Sequence, residues 1–187
     1  LQWLGGIGII VVAMVFLPEL RVGGMQIFKS EGFDTFGNIL PRATEIAAQV
    51  AWLYVGLTGA CAVIYIATGM RSFDAVLHAM TTIATGGFST YDSSFVKFGA
   101  STEYAAVVFM CLAALPFVRY VQLINGAPGS LFHDSQVRVF FIVLLVTVGF
   151  LTLVLWQGYQ FSGELGFRKA LFNVVSITTG TLSLIHI

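Results

Sequence analysis

Apolar and polar residues alternate along this chain in long blocks. Four apolar stretches, residues 1–17, 46–68, 104–124 and 139–156, are separated by polar connectors and carry one charged residue among them, Arg119. A helix needs about 20 residues to cross the hydrocarbon core of a bilayer. The pattern therefore predicts an all-α protein with multiple membrane spans, the third of them kinked at Pro116.

Two further segments are helical in pattern but too short to cross. Residues 73–83 and 167–177 comprise 11 residues each, and a helix of that length covers about 16 Å, roughly half of a membrane. Each segment runs into a Thr/Gly-rich loop, at residues 81–90 and 176–181. We expect both short helices to be re-entrant or interfacial.

The two short segments belong to an internal repeat. Five residues recur at a spacing of 94, namely Phe73 with Phe167, Leu77 with Leu171, Ile83 with Ile177, Thr85 with Thr179, and Gly86 with Gly180. The repeating unit is span, short helix, loop and span, and such fixed-period similarity indicates a repeat architecture. We assign residues 1–45 to the end of a first repeat, 46–136 to a complete second repeat, and 137–181 to the first half of a third. Because each unit has two spans, the repeats are predicted to be parallel.

Composition agrees with a membrane location. The chain is 57% hydrophobic and 10% charged, whereas soluble domains carry about 25% charged residues, and its mean hydropathy is +0.89. A net charge of zero gives no basic surface for nucleic acid. The two cysteines, Cys61 and Cys111, lie in apolar stretches and form neither a disulfide framework nor a metal-binding motif.

The loops have the chemistry of an ion pathway. Parallel repeats can surround an axis normal to the membrane, so that each contributes one loop. Non-helical backbone at membrane depth is tolerated only beside protein or a water-filled cavity, and the C-terminus of a short helix favours a cation. Glycine permits backbone angles that turn carbonyl groups inward. We therefore expect residues 81–90 to line a cation pathway in which backbone oxygens replace the hydration shell.

Several individual side chains allow two interpretations. Trp52 and Tyr65, towards the two ends of the span at residues 46–68, are expected to anchor it at the membrane interfaces. His78 is interpreted as a core histidine bonded to a neighbour, with pH sensing as the alternative. Asp74 is interpreted as a helix-start residue that could also concentrate cations at an outer mouth. Arg119 and Arg138 are expected to mark the cytoplasmic boundary, since the connectors hold slightly more Lys and Arg than the loop side, or to contact a regulatory partner.

Six motifs together resemble a known family. They are Trp3-Leu4-Gly5-Gly6-x-Gly8-Ile9, Gly23-Gly24-Met25-Gln26, Thr85-Gly86-Gly87-Phe88-Ser89, Leu115-Pro116-Phe117, Asp134-Ser135-Gln136-Val137-Arg138 and Ser176-Ile177-Thr178-Thr179-Gly180-Thr181. The chain is similar over nearly its whole length to the Trk/Ktr/HKT superfamily of cation transporters, and within it to the Trk-type potassium uptake membrane subunits of bacteria.

The resemblance implies a pore of four repeats with one filter loop each. It implies that potassium is the transported ligand and that the protein has no covalently bound cofactor and no enzymatic activity. It also implies a multi-pass protein of the bacterial inner membrane. It further implies a homodimer in the lipid bilayer and a cytosolic, nucleotide-binding regulatory subunit of the TrkA type. By position, the second filter corresponds to Thr85, Gly86, Gly87 and Phe88, with Gly87 as its selectivity glycine, and the start of the third corresponds to Thr179, Gly180 and Thr181.

The chain departs from the family pattern after Thr181. Glycine followed by an aromatic residue is expected at position 182, where the sequence has Leu182-Ser183. We interpret residues 182–187 as a truncation or a foreign tail, and the chain as a fragment that should not form a conducting pore alone.

Three alternatives remain open at this point. A sodium-permeable member of the same superfamily is disfavoured by Gly87, since serine there would indicate sodium permeation. A secondary transporter with a midplane substrate site is expected to carry ionisable residues in its spans, and residues 46–68, 104–118 and 139–156 have none. A non-transporting membrane scaffold would tolerate serine at position 87.

Overall fold

The computed structural model describes residues 1–6, 43–126, 134–158 and 163–183, and all regular structure within those ranges is helical. Residues 2–6 are helical. The remaining helices are α1 (Ala43–Ala67), α2 (Ser72–Ile83), α3 (Ala100–Ala114), α4 (Phe117–Ile124), α5 (Ser135–Gly158) and α6 (Glu164–Thr178), with a 3₁₀ turn at Ser94–Lys97. The all-α prediction is confirmed. Most of the first predicted span, its connector to residue 42, and residues 184–187 lie outside the described residues.

Among the described residues, two helices are each long and apolar enough to cross a membrane. These are α1, with 25 residues, and α5, with 24, and they confirm the spans expected at residues 46–68 and 139–156. The outer surface of α5 exposes large apolar side chains, including Leu145, Val146 and Phe150. Such a surface suits contact with lipid rather than water.

The third predicted span is broken rather than kinked. α3 and α4 meet at an angle of 85°, so the disturbance expected at Pro116 is present, but it separates two helices instead of kinking one. Leu115 is extended (φ −77°, ψ 147°), as residues before proline prefer to be. The hydroxyl of Tyr120 donates to the Leu112 carbonyl at 2.8 Å, which satisfies a carbonyl at the end of α3.

The two short helices do not reach across a bilayer. α2 has 12 residues and α6 has 15, which correspond to about 18 and 22 Å against a core of about 30 Å. α2 packs against α1 and α3, and α6 packs against α3 and α5. α3 therefore lies between the two short helices and brings their ends into one region.

Tyr65 belongs to the core of this arrangement. Its side chain is fully buried, its hydroxyl is 3.0 Å from Thr82 Oγ1, and its ring meets Phe95 and Phe109 edge-on. The prediction of an interfacial anchor at Tyr65 is therefore wrong. A buried tyrosine needs a partner for its hydroxyl, and Thr82 supplies that partner and joins α2 to α1.

Residues 1–6 pack against α1 and the loop after α2. The Trp3 ring stacks on Tyr54 with centroids 5.3 Å apart, and the Tyr54 hydroxyl donates to the Trp3 carbonyl at 3.1 Å. A Cβ placed on Gly6 would lie 2.9 Å from the Tyr54 hydroxyl and 3.4 Å from Ala84. Glycine at position 6 is therefore what permits this close approach.

An ion pair joins α4 to the start of α5. Arg119 Nε lies 2.8 Å from Asp134 Oδ2, and the backbone amide of Gln136 donates to Asp134 Oδ1 at 2.9 Å. The Gln136 amide, together with the Arg119 guanidinium, lowers the pKa of Asp134 below its ordinary value. The carboxylate therefore stays ionised at neutral pH and keeps its ion pair.

The core predicts a contrast between two phenylalanine substitutions. Phe172 is fully buried, whereas Phe150 is 68% exposed on α5. Phe172→Ala should lower the free energy of unfolding by about 3–5 kcal/mol because it leaves a cavity. Phe150→Ala makes the same chemical change on the outer surface and should have a much smaller effect. Unfolding of both variants in detergent micelles, followed by circular dichroism, measures the difference, and equal losses would contradict the described packing.

Candidate functional site

The first loop begins with backbone hydrogen bonds to the last turn of α2. Backbone amides of residues 84, 85 and 86 donate to carbonyls of residues 80, 82 and 81, at 3.1, 3.1 and 2.8 Å. The chain then turns through left-handed backbone at Thr85 (φ 49°) and Gly87 (φ 63°). The loop thus sits at the negative end of the α2 dipole, which favours a nearby cation.

Thr85 occupies a strained conformation. A β-branched residue at positive φ is an outlier, and such conformations cost of the order of 1–3 kcal/mol. Strain of this kind concentrates at ligand-binding sites, where the surrounding structure maintains it. The predicted filter residue Thr85 therefore stands in a turn that its own side chain does not favour.

The second loop repeats this backbone path one residue later than the sequence identities indicate. Amides of residues 179 and 180 donate to carbonyls of residues 175 and 177, at 2.9 and 3.1 Å, and positive φ recurs at Gly180 (76°) and Leu182 (56°). These two bonds and both positive φ angles correspond in the two loops at a spacing of 95, not 94. The next bond differs, since the Ser176 carbonyl accepts from the Leu182 amide at 3.0 Å, one residue later than this spacing gives. Leu182 therefore occupies the backbone position of Gly87, which is where the family pattern expects glycine.

The two loops meet at Gly87. A Cβ built on Gly87 would overlap the Thr181 carbonyl oxygen and would lie 3.0 Å from the Ser183 amide nitrogen. Beside this contact, Ser94 Oγ is 2.8 Å from Ser183 Oγ. The structure therefore brings the predicted residues Gly87 and Thr181 together, and no larger residue fits at position 87 without movement of the second loop.

The carbonyl oxygens of Gly86 and Phe88 each accept one hydrogen bond from a side chain. The Gly86 carbonyl accepts a hydrogen bond from Gln2 Nε2 at 3.1 Å, and the Phe88 carbonyl accepts one from Thr81 Oγ1 at 2.9 Å. A carbonyl oxygen has two lone pairs, so each retains one acceptor site. The Phe88 ring is 66% exposed.

The second loop offers hydroxyl oxygens as well as carbonyls. Thr179 Oγ1 lies 2.9 Å from Thr181 Oγ1, and Thr181 is buried. In the part of the chain that the structure describes, no group of three His, Cys, Asp or Glu side chains could hold a metal ion. The oxygens gathered at the two loops are therefore uncharged, which suits a weakly held, mobile cation better than a tightly ligated one.

Sequence reasoning did not predict that side chains of α2 support the first loop. His78 is buried and its Nδ1 is 2.8 Å from the Asp74 carbonyl, which confirms the interpretation of a core histidine bonded to a neighbour. Asp74, His78 and Thr81 also contact residues 88–90 at the end of the loop. Their spacing of four and three residues places them on one helix face. That spacing is the sequence feature from which a polar face on α2 could have been predicted.

Half-length helices that end in glycine-rich loops, packed between longer apolar helices, are the architecture of a helical membrane protein. A family model, TrkH, described as a cation transport protein, matches residues 1–180. The chain belongs to this family of transport proteins.

Known relatives agree with that assignment. The chain is 39% identical to the Trk system potassium uptake protein TrkI of Halomonas elongata, over 97% of this chain and 37% of the relative. It is 38% identical to the Trk system potassium uptake protein TrkH of Escherichia coli, over 96% of this chain and 38% of the relative. The chain thus spans less than two fifths of the length of these proteins.

A solved structure supports the fold. The crystal structure of the potassium transporter TrkH from Vibrio parahaemolyticus superposes with a TM-score of 0.76 at 34% identity, and the match covers 94% of this chain and 36% of that one. The helical arrangement described above is therefore the arrangement of this family.

Two glycine substitutions separate strain from steric overlap. Gly180 has positive φ with no neighbour within 4 Å of a built Cβ, whereas Gly87 has positive φ and meets Thr181. Gly180→Ala should cost about 1–2 kcal/mol, the strain of left-handed backbone, and Gly87→Ala should cost clearly more. Chemical unfolding of the two variants in micelles gives both values. A Gly87→Ala variant no less stable than Gly180→Ala would show that the loops do not touch at position 87.

Proposed function

We propose that this chain is part of a potassium uptake transporter, and that its two loops form part of a selectivity filter built from backbone carbonyl oxygens. The observation that carries the proposal is Gly87, which lies in left-handed backbone against the Thr181 carbonyl at the end of a half-length helix. The relatives that support potassium as the cargo are named as potassium uptake proteins.

In the proposed mechanism, carbonyl and hydroxyl oxygens take the place of water around the ion. They belong to Thr85, Gly86, Gly87 and Phe88 in one loop and to Thr179, Gly180 and Thr181 in the other. The C-terminal ends of α2 and α6 add partial negative charge, and exchange between similar sites lets the ion move on. Transport requires no covalent step, so no cofactor is invoked.

The remaining walls of the pore are expected from sequence outside this chain. The relatives are more than twice as long, which suits a pore of four repeats. In that arrangement residues 1–45 end the first repeat, 46–136 form the second, and 137–181 begin the third. The second repeat is the one with a complete filter loop here.

The same proposal includes the membrane location of the protein and its binding partners. We expect a multi-pass protein of the bacterial inner membrane that assembles as a homodimer in the lipid bilayer and binds a cytosolic, nucleotide-binding regulatory subunit of the TrkA type. Arg119 and Arg138 remain the candidate contacts on the cytoplasmic side. A neutral chain without a basic surface offers no reason to expect nucleic acid as a partner.

Substitution of Gly87 tests the filter. Gly87→Ser, in the complete open reading frame that encodes this chain, should lower potassium uptake and admit sodium, because a serine side chain displaces the facing Thr181 carbonyl. Gly99→Ser is the matched control: Gly99 has no neighbour within 4 Å of a built Cβ, and serine is a favourable N-cap for α3. Growth of uptake-deficient bacteria at low potassium and tracer fluxes of both cations measure the effect.

The outcomes separate the competing functions. Potassium-dependent growth with the unmodified frame, and its loss with Gly87→Ser alone, supports the potassium filter. Equal permeation of sodium and potassium by the unmodified protein would favour the sodium-permeable alternative. A scaffold predicts that Gly87→Ser has no effect on cation flux.

A further inference from the structure

Three polar side chains of α2 contact residues 88–91, at the end of the first loop. Asp74, His78 and Thr81 share one helix face, and the chain after the loop runs back along that face from the C-terminus of α2 towards its N-terminus. The first contact is at the loop itself, where Thr81 Oγ1 lies 2.9 Å from the Phe88 carbonyl oxygen.

The second contact has a defined hydrogen-bond direction. His78 Nδ1 is 2.8 Å from the Asp74 carbonyl, which can only accept, so Nδ1 carries the proton. In the neutral ring Nε2 then accepts from the Ser89 hydroxyl at 3.0 Å, and Ser89 Oγ accepts from the Tyr91 amide at 3.2 Å. The neutral imidazole thus links the first turn of α2 to Ser89 and, through it, to Tyr91 at the end of the loop.

Aromatic rings fix the imidazole in place. His78 is 1% exposed, and Phe95 and Phe98 pack edge-on against it with centroids 5.3 and 5.2 Å away. A ring enclosed in this way is held in one orientation. Its two hydrogen bonds therefore keep the Asp74 carbonyl and the Ser89 hydroxyl at a fixed separation.

The third contact uses both oxygens of one carboxylate. Asp74 Oδ1 accepts from Thr90 Oγ1 at 3.2 Å, and Oδ2 accepts from the Tyr91 hydroxyl at 3.0 Å. Asp74 is 7% exposed. Its carboxylate is therefore engaged within the protein rather than open at an outer mouth.

We propose that Asp74, His78 and Thr81 form a hydrogen-bonded ladder that holds residues 88–91 and thereby positions the carbonyls of residues 85–87 for ion selection. The ladder consists of these three side chains and their partners at residues 88–91. This inference rests on the proposed function of the loop as a filter. Oxygens that discriminate between ions must be held in place by a surrounding shell, and lipid supplies no hydrogen bonds to irregular backbone.

The second short helix has polar residues at the same positions. At the spacing of 95 set by the loop backbones, the ladder positions correspond to Lys169, Asn173 and Ser176. Ser176 Oγ is buried and has no hydrogen-bond partner among the described residues. A buried hydroxyl normally has a partner. The second loop would supply one if it continued beyond Ser183 as the first loop continues beyond Phe88.

The ladder can be tested by removing single hydroxyl groups. Tyr91→Phe deletes one contact and Thr81→Val deletes two, since Thr81 Oγ1 also lies 3.1 Å from the His78 carbonyl within α2; both substitutions keep the shape of the side chain. Tyr104→Phe, which removes a hydroxyl 3.0 Å from Glu164, and Thr147→Val, which removes one 2.8 Å from the Val143 carbonyl, are matched controls away from the loop. All four are made in the complete open reading frame.

Two measurements are compared for each variant. Hydrogen–deuterium exchange of residues 86–91 should rise several-fold in Tyr91→Phe and Thr81→Val and stay unchanged in the controls. Potassium uptake should show a several-fold higher KM and a several-fold lower preference for potassium over sodium in the same two variants, with little change in the amount of protein in the membrane.

The outcomes distinguish this inference from the proposed function. Unchanged exchange at residues 86–91 would show that the ladder does not hold the segment. Faster exchange with an unaltered KM and ion preference would show that the ladder is structural only. Failure of the unmodified protein to take up potassium would contradict the proposed function, and with it any role in selectivity, while the exchange measurement would still decide whether the ladder exists.

Discussion

Backbone that leaves a helix at membrane depth must find its hydrogen bonds within the protein, because lipid supplies none. The first loop meets this requirement with partners in α2 and in residues 1–6. Amides of residues 84–86 return to the last turn of α2, and the carbonyls of Gly86 and Phe88 accept from the side chains of Gln2 and Thr81. The half-length helices, the polar face of α2 and the packing of residues 1–6 are all arranged around that need.

The same requirement explains why small residues lie where the loops meet. Two irregular segments that share one region can approach only if neither carries a side chain there, and Gly87 lies directly against the Thr181 carbonyl. What remains at that point is uncharged oxygen. Uncharged oxygens can replace the water around a cation without binding it so tightly that it stays, and this is the link that the proposed function draws between the fold and ion transport.

The sequence alone predicted the helices better than their contacts. Hydropathy and length were sufficient for α1, α2, α5 and α6, since both are local properties. Pro116 signalled a disturbance, but its 85° bend depends on where the following segment packs. An apolar stretch does not reveal which of its residues face protein and which face lipid, so Tyr65 was misassigned. The loops were located by their repeat, whereas the contact between Gly87 and Thr181 joins residues far apart in the chain and needed the structure.

The central claim is that backbone oxygens of the first loop bind the transported ion. The most direct test is a crystal structure of the protein from the complete open reading frame, grown in rubidium as a potassium substitute and measured at the rubidium absorption edge. The account predicts an anomalous peak coordinated by main-chain oxygens of residues 85–87. A protein that takes up potassium but shows its rubidium peaks only at carboxylate side chains would contradict it.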